Sequence, residues 1–282
     1  MPELTSPPSL LPLYAKAAVT SPLHRGDSLP DSVYTLADQV IDRAHLAAYQ
    51  RVCGFPVTDV LPPTYLHVLA FPLSVSLMSE RSFPFPLVGM VHVANSITLA
   101  RSVQADEPVS FSVRAADLRP HPAGRQFDLL ADATVNGAVV WSARSTYLRR
   151  EKPAEKRDRT PSAKRPAPEP SVGAVSQVRV PDDIGRRYAA VSGDRNPIHL
   201  YALTAKAFGF PSAIAHGMWL KARTLASLQG RLPDDYTVDV SFKLPVLLPA
   251  TLAIAAQPAE SGWTLDVRSA KAGKPHLAGR VT

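Results

Sequence analysis

Asp194 and His199 stand five residues apart in the stretch Tyr188 to Tyr201, YAAVSGDRNPIHLY. A carboxylate and an imidazole that converge can hold and activate one water, one group accepting a proton while the other donates. On a continuous helix five residues turn through about 500°, which leaves the pair about 140° apart and on different faces. The sequence interrupts such a helix. Pro197 biases Asn196 away from the helical region, and an Asn cap followed by proline suits a new helix beginning there. Gly193 can adopt a backbone conformation closed to other residues just before Asp194. The same residues also read as ordinary capping and turn chemistry, and that alternative stands beside the catalytic one.

A second segment, Phe208 to Met218 (FGFPSAIAHGM), leads into a helix-like pattern over Gly217–Gly230 with apolar positions at 218, 222, 225 and 228. Backbone amides at a helix N-terminus can stabilise a developing oxyanion. Gly217 would let a carbonyl approach closely, or would simply let the helix end pack tightly. His216 could join Asp194 and His199 on a metal, but no HxxxH, HExxH or CxxC spacing supports one, so no metal site is expected. Cys53, the one cysteine, has no basic partner in its own motif and reads as a buried thiol. His67 and His92 lie in apolar runs and read as core or pocket-lining groups. No glycine-rich phosphate loop is present, so nucleotide chemistry lacks support.

The elements that must hold these residues follow from periodicity. After a strand-like run at Val175 to Val180 and the helix from Gly217, strand-like runs occur at Thr237 to Phe242, Ala250 to Ala256, Trp263 to Ser269 and His276 to Val281. The first half repeats this order. A helix-like run at Tyr65 to Met78 precedes strand-like runs at Val91 to Leu99, Val109 to Ala115, Gln126 to Val135 and Ala138 to Leu148, with Asn136-Gly137 as a hairpin turn. One helix followed by several antiparallel strands, twice, predicts an α+β architecture. Val60 to Ser79 and Ser82 to Ala100 carry no charge, yet Pro62, Pro63, Pro72, His67 and Asn95 argue for a buried helix and core strand rather than a membrane span.

The chain of 282 residues fits about two domains. Arg149 to Ser171 mixes charge and proline with almost no apolar residues, as a solvated linker does. The expected organisation is 1–150, a linker at 151–172, and 173–282. Their net charges are 12 − 12 = 0, 6 − 4 = +2 and 13 − 8 = +5, which sum to +7. The basic residues are neither interleaved with aromatics nor gathered on a recognition helix, so nucleic acid is not the expected partner. A phosphorylated carrier fits the positive second half better, with Arg186, Arg187, Arg195, Lys206, Lys221 and Arg223 as candidates. A lone cysteine and the lack of a secretory pattern at the start predict a cytoplasmic location.

The run Ser192-Gly193-Asp194-Arg195-Asn196-Pro197-Ile198-His199, with Ala215-His216-Gly217-Met218 downstream, resembles the signature of MaoC-like (R)-specific enoyl-thioester hydratases, or 3-hydroxyacyl-thioester dehydratases. Phe242 to Pro249 (FKLPVLLP) resembles a strand segment of that family. The resemblance implies a double hot dog fold, two curved antiparallel sheets each wrapped around a long helix, with a degenerate first repeat and a catalytic second one. It implies that Asp194 and His199 form the catalytic dyad and that the Gly217 amide polarises the thioester carbonyl. Ser192, Gly193, Asn196 and His216 would support them. The implied substrate is an acyl-CoA or acyl carrier protein thioester, with no cofactor beyond the CoA or phosphopantetheine of the substrate. The chain would be an intrachain pseudo-dimer, with a homodimer of chains left open. The first half, at Leu46 to Asp59 (LAAYQRVCGFPVTD), has no Asp-x4-His, which implies one active site per chain. A non-catalytic acyl-thioester-binding subunit and a hot dog thioesterase are the competing readings.

Overall fold

Residues 3–4, 6–10, 12–13, 27–87, 89–151 and 175–282 are described by a computed structural model. In chain order they form β1 (Glu3–Leu4), β2 (Val33–Gln39), α1 (Arg43–Cys53), α2 (Pro63–Met78), β3 (Met90–Leu99), β4 (Val109–His121), β5 (Gly124–Val135) and β6 (Ala138–Arg150). There follow β7 (Val175–Val180), α3 (Ile184–Ser192), α4 (Pro197–Leu200), α5 (Ala202–Ala207), α6 (Gly217–Ala226), β8 (Tyr236–Phe242), β9 (Ala250–Pro258), β10 (Trp263–Ser269) and β11 (Pro275–Val281). The segment expected as a linker, 151–172, lies outside the described residues except for Glu151, whose carboxylate accepts from Arg125 at 2.8 Å.

The strands join in one sheet of order β1-β2-β4-β5-β6-β3-β8-β11-β10-β9-β7. Among the described residues, only the short β1–β2 pair is parallel. The two expected sheets are therefore continuous, because β3 pairs antiparallel with β8 from Ala94 opposite Ser241 to Leu99 opposite Tyr236. Apart from β1, the order reads the same from either end once each strand is exchanged for its counterpart in the other half.

Each half curls around a helix. Pro63 opens α2 where its missing N–H is no loss. Buried residues occupy every side of this helix, from Tyr65, Leu66 and Val68 to Leu73 and Leu77, as befits a helix enclosed by a sheet. Trp141 of β6 donates to the Pro63 carbonyl at 2.9 Å and fixes the helix start. Its counterpart α6 is shorter than the Gly217–Gly230 pattern, ending at Ala226 with Ser227 as cap. Asn136 and Gly137 both take positive φ, 49° and 80°, in the predicted hairpin turn between β5 and β6.

Contacts across the middle tie the halves together. Trp219 of α6 donates to the Val52 carbonyl of α1 at 3.1 Å. Lys221, expected at the surface, is fully buried, and its Nζ donates to Asn95 Oδ1 at 2.5 Å and to the Val238 carbonyl at 3.0 Å. A carrier phosphate cannot reach it. Its place on the sheet-facing side of α6 puts its polar end between β3 and β8.

FKLPVLLP also differs from expectation. Only Phe242 belongs to a strand, and 243–249 run irregularly, since Pro245 and Pro249 have no N–H for a ladder. Val246 still accepts from the Ala215 amide at 3.0 Å, and the Leu248 amide donates to Ala213 at 2.8 Å. The irregular segment thereby braces the turn that carries His216.

Candidate active site

The loop between α3 and α4 folds as its residue types dictate. Gly193 caps α3 in the left-handed region at φ 72°, its amide bonded to Ala189. The Asp194 amide donates to Ser192 Oγ at 3.2 Å. The Asn196 amide donates to Asp194 Oδ1 at 3.2 Å, and Asn196 Oδ1 accepts from the Ile198 amide at 3.4 Å. Asn196 is thus the N-cap of α4, with Pro197 in its first turn. The capping chemistry and the convergence of Asp194 with His199 coexist, one producing the other.

His199 is buried, and its Nδ1 lies 2.8 Å from the Ile214 carbonyl. A carbonyl only accepts, so Nδ1 carries the proton and Nε2 keeps its lone pair. Burial lowers the His199 pKa, so the ring is neutral at pH 7. Gly185 of α3 sets its depth: a Cβ there would overlap the His199 carbonyl oxygen.

His216 caps α6 and stacks on His199, with ring centroids 3.7 Å apart and planes 25° off parallel. Its Nε2 donates to the Asp194 carbonyl at 3.0 Å and lies 3.8 Å from Asp194 Oδ2. Its Nδ1 is buried without a hydrogen-bond partner among the described residues. Burial, followed by the neighbouring His199, pushes its pKa down to about 3. Asp194, His199 and His216 each offer one ligand-type atom within 4.8 Å of the others. Their geometry suits a metal poorly, because lone pairs lie in the ring planes and stacked rings aim them alongside one another rather than at a common point.

Gly217 is the first residue of α6, directly after His216, where a helix leaves its amides without intrahelical partners. A Cβ at this position would meet the Phe242 ring at 3.1 Å, so the glycine also lets β8 close on the helix start. Both uses of a glycine here, open amide and tight packing, are available in one geometry.

Asp194, Ser192, Tyr188 and Met218 line a cavity of about 30 Å³ together with His67, Phe71, His92 and Tyr147 from the first half. The space suits one or two waters. His67 and His92 are the pocket-lining histidines that their apolar surroundings suggested. Burial, and next the charge of Lys221, lowers His67 to about 4. Burial, followed by His67, lowers His92 to about 3. Tyr147 stacks on His92 at 4.6 Å, and burial raises its pKa. Tyr147 and Tyr188 escaped the sequence reading, since nothing local marks an aromatic that reaches a site from a distant strand or the preceding helix. Cys53 is buried, and desolvation raises its thiol to about 12, so no thiolate nucleophile forms there.

An antiparallel sheet curled around a buried helix, with an acid–histidine loop beside the helix start, is the hot dog architecture. A model of the MaoC like domain matches residues 158–276. The 3-hydroxyacyl-thioester dehydratase X of Mycobacterium tuberculosis is 38% identical over 279 residues, covering 99% of each chain. The crystal structure of HtdX from that organism superposes with a TM-score of 0.78 at 36% identity, covering 89% of this chain and 99% of the other. A MaoC-like dehydratase from Phytophthora capsici shares the fold at a TM-score of 0.72 and 16% identity, covering 90% of this chain and 95% of its own. The chain belongs to the MaoC-like dehydratase family.

Proposed function

We propose that this protein catalyses the reversible, stereospecific addition of water to a trans-2-enoyl thioester, giving an (R)-3-hydroxyacyl thioester, and the reverse dehydration, in fatty-acyl metabolism. The observation that carries this reading is the convergence of Asp194 with His199, whose Nδ1 is held by the Ile214 carbonyl so that Nε2 keeps its lone pair, beside the start of α6. In the hydration direction His199 Nε2 takes a proton from a water that Asp194 orients, and the water oxygen bonds to C3 of the enoyl group. Electrons from the double bond move into the thioester carbonyl, whose growing negative charge the Gly217 amide stabilises. A proton delivered from the dyad to C2 completes the addition. Asn196 holds the loop through its contact with Asp194, Ser192 and Gly193 fix its entry, and His216 buttresses His199. The thioester itself acidifies C2–H, so this scheme uses no cofactor beyond the carrier of the substrate.

The mirrored strand order supports reading the halves as a pseudo-dimer within one chain, with 1–150 as the repeat lacking Asp-x4-His and 173–282 as the catalytic one. Side chains from both halves around Asp194 support a single shared site. The absence of any described helix long and apolar enough to cross a membrane and the lone cysteine are in keeping with a cytoplasmic place.

Loss of enoyl-thioester absorbance on adding trans-2-enoyl-CoA tests the reaction. Asp194→Asn and His199→Gln should each lower kcat by about 10² to 10⁴ while the fold is retained by circular dichroism. Wild-type turnover in both variants would overturn the assignment. Release of free thiol from saturated acyl-CoA would point instead to a thioesterase. Acyl-CoA binding without either reaction would point to a non-catalytic subunit.

A further inference from the structure

β3 slips by one residue in its pairing with β6. From Leu99 back to Asn95 the two strands run in step, with Leu99 opposite Trp141, Ile97 opposite Ala143 and Asn95 opposite Ser145. These residues share the helix side of the sheet, since Trp141 bonds to the start of α2 and Asn95 accepts from Lys221 of α6. Strict alternation would put Val93 on that side next, opposite Tyr147. Val93 instead has no partner on β6, and His92 stands opposite Tyr147. A bulge of this kind adds one residue and moves the side chains beyond it to the other face. It turns His92 inward and leaves Val91 36% exposed.

The inward ring is held by other rings. Tyr147 stacks on it at 4.6 Å, Phe242 meets it edge-on at 5.1 Å, and His67 lies nearly parallel to it at 6.3 Å. Phe242 is also the ring that closes on Gly217. Such packing fixes a rotamer but gives a ring nitrogen nothing to bond. His92 Nε2 is buried with no hydrogen-bond partner among the described residues, and a buried polar atom left so is costly. His92 lines the cavity of about 30 Å³ that Asp194 also lines, with His67, Tyr147 and Ser192 as further polar walls. Burial, then His67 and Lys221, lower the His92 pKa and the charge of Asp194 opposes them, so the carboxylate stands within electrostatic reach of the ring.

We infer that His92, aimed by the bulge, is a positioning residue for the reaction: its Nε2 holds a water in this cavity, and that water donates a hydrogen to the Asp194 carboxylate and fixes its orientation. A water serves whichever nitrogen of the neutral ring carries the proton, because it both accepts and donates, and in either case one hydrogen is left for the carboxylate. This is not the water that adds to the substrate. It sits on the side of Asp194 that faces the first half, and His199 is not among the residues lining the cavity. The half that lacks Asp-x4-His thus serves the site through a strand irregularity. The inference rests on the proposed hydratase reading for what Asp194 does.

Two variants separate polarity from shape. His92→Phe keeps a ring for Tyr147 and Phe242 to pack on but has no nitrogen, while His92→Gln loses the ring and keeps a polar amide. In His92→Phe, kcat for hydration of trans-2-enoyl-CoA should fall about 10- to 100-fold, with KM changed by less than about twofold. His92→Gln should recover most of that loss, whereas a residue that only packs would give the opposite order. A high-resolution crystal structure of the wild-type chain should show the water joining His92 Nε2 to Asp194, and the structure of His92→Phe should lack it. Wild-type kcat in His92→Phe, or a wild-type structure in which no water joins the two groups, would overturn the proposal. So would a KM in His92→Phe that changes with acyl length at unchanged kcat, because acyl carbons rather than water would then fill the cavity. A wild-type protein that turns over no enoyl thioester while the water is in place would instead remove the reaction reading and leave the water bridge standing.

Discussion

Lys221 Nζ has three donors and three acceptors around it: Asn95 Oδ1 at 2.5 Å, the Val238 carbonyl at 3.0 Å and the Asn95 carbonyl at 3.3 Å. Burial drives its pKa down, while Asp239 opposes that shift. Removing the amine leaves the acceptors without it, and a buried unsatisfied group costs about 1 to 3 kcal/mol. Lys221→Met, which keeps most of the stem, should therefore lower unfolding free energy by about 2 to 4 kcal/mol, and Lys221→Ala by more because it also opens a cavity. Pairing Lys221→Met with Asn95→Leu in a double-mutant cycle should recover at least about 1 kcal/mol as coupling. Additive losses in urea unfolding would show that the contact is not energetically specific. The burial could not be foreseen from the helix pattern, because a lone lysine among GMWLKARTLA looks solvated until β3 and β8 supply its partners from remote sequence.

At the scale of elements, α3 packs so closely on α4 that Gly185 faces the His199 backbone where a side chain would stand. Gly185→Ala must push α4 outward, carrying the His199 ring from Asp194. Small displacements of a catalytic group can reduce rate by about 10², so kcat should fall about 10- to 100-fold, with a stability loss of about 1 to 3 kcal/mol from overpacking. Unchanged kcat in this variant would mean that the loop absorbs the methyl without moving His199. The conformation of the loop that carries Asp194 and His199 was legible in sequence because Gly193, Asn196 and Pro197 act locally, each through its own backbone preference. Most strands were legible too, by alternation and turn residues. β2 and α1 were not: β2 breaks its alternation where Asp38 takes φ 44° and the pairing slips between Leu36 and Gln39. The buried side of α1 rests on Leu46, Tyr49, Gln50 and Cys53, a face without a strong apolar stripe. Gly185 carried no signal, since its role depends on the tertiary approach of α4.

Across the whole molecule, His67 from the first half and His216 from the second are buried around the joint, as is Lys221, and the half-buried His92 turns its Nε2 away from solvent. Their folded pKa values lie at about 4, 3 and 3, all below the ordinary histidine value of about 6.5. A depressed folded pKa means that the unfolded chain takes up protons that the folded chain refuses. The stability these neutral rings allow is thus fully present above about pH 6.5 and is lost as pH falls toward their folded values. Each contributes a slope approaching about 1.4 kcal/mol per pH unit, so the three together approach about 4. Against a usual total of about 5 to 15 kcal/mol, that is enough to weaken the joint severely by pH 5, before most carboxylates titrate. Urea midpoints should hold steady from pH 8 to 7 and then fall steeply between pH 6.5 and 5. His92→Phe should reduce that slope by about one proton's worth, since an apolar ring cannot charge in the unfolded chain. A midpoint that stayed constant down to pH 5 would show that these rings protonate in place, with water admitted between the halves, and that the joint is not sealed in the way its burial indicates.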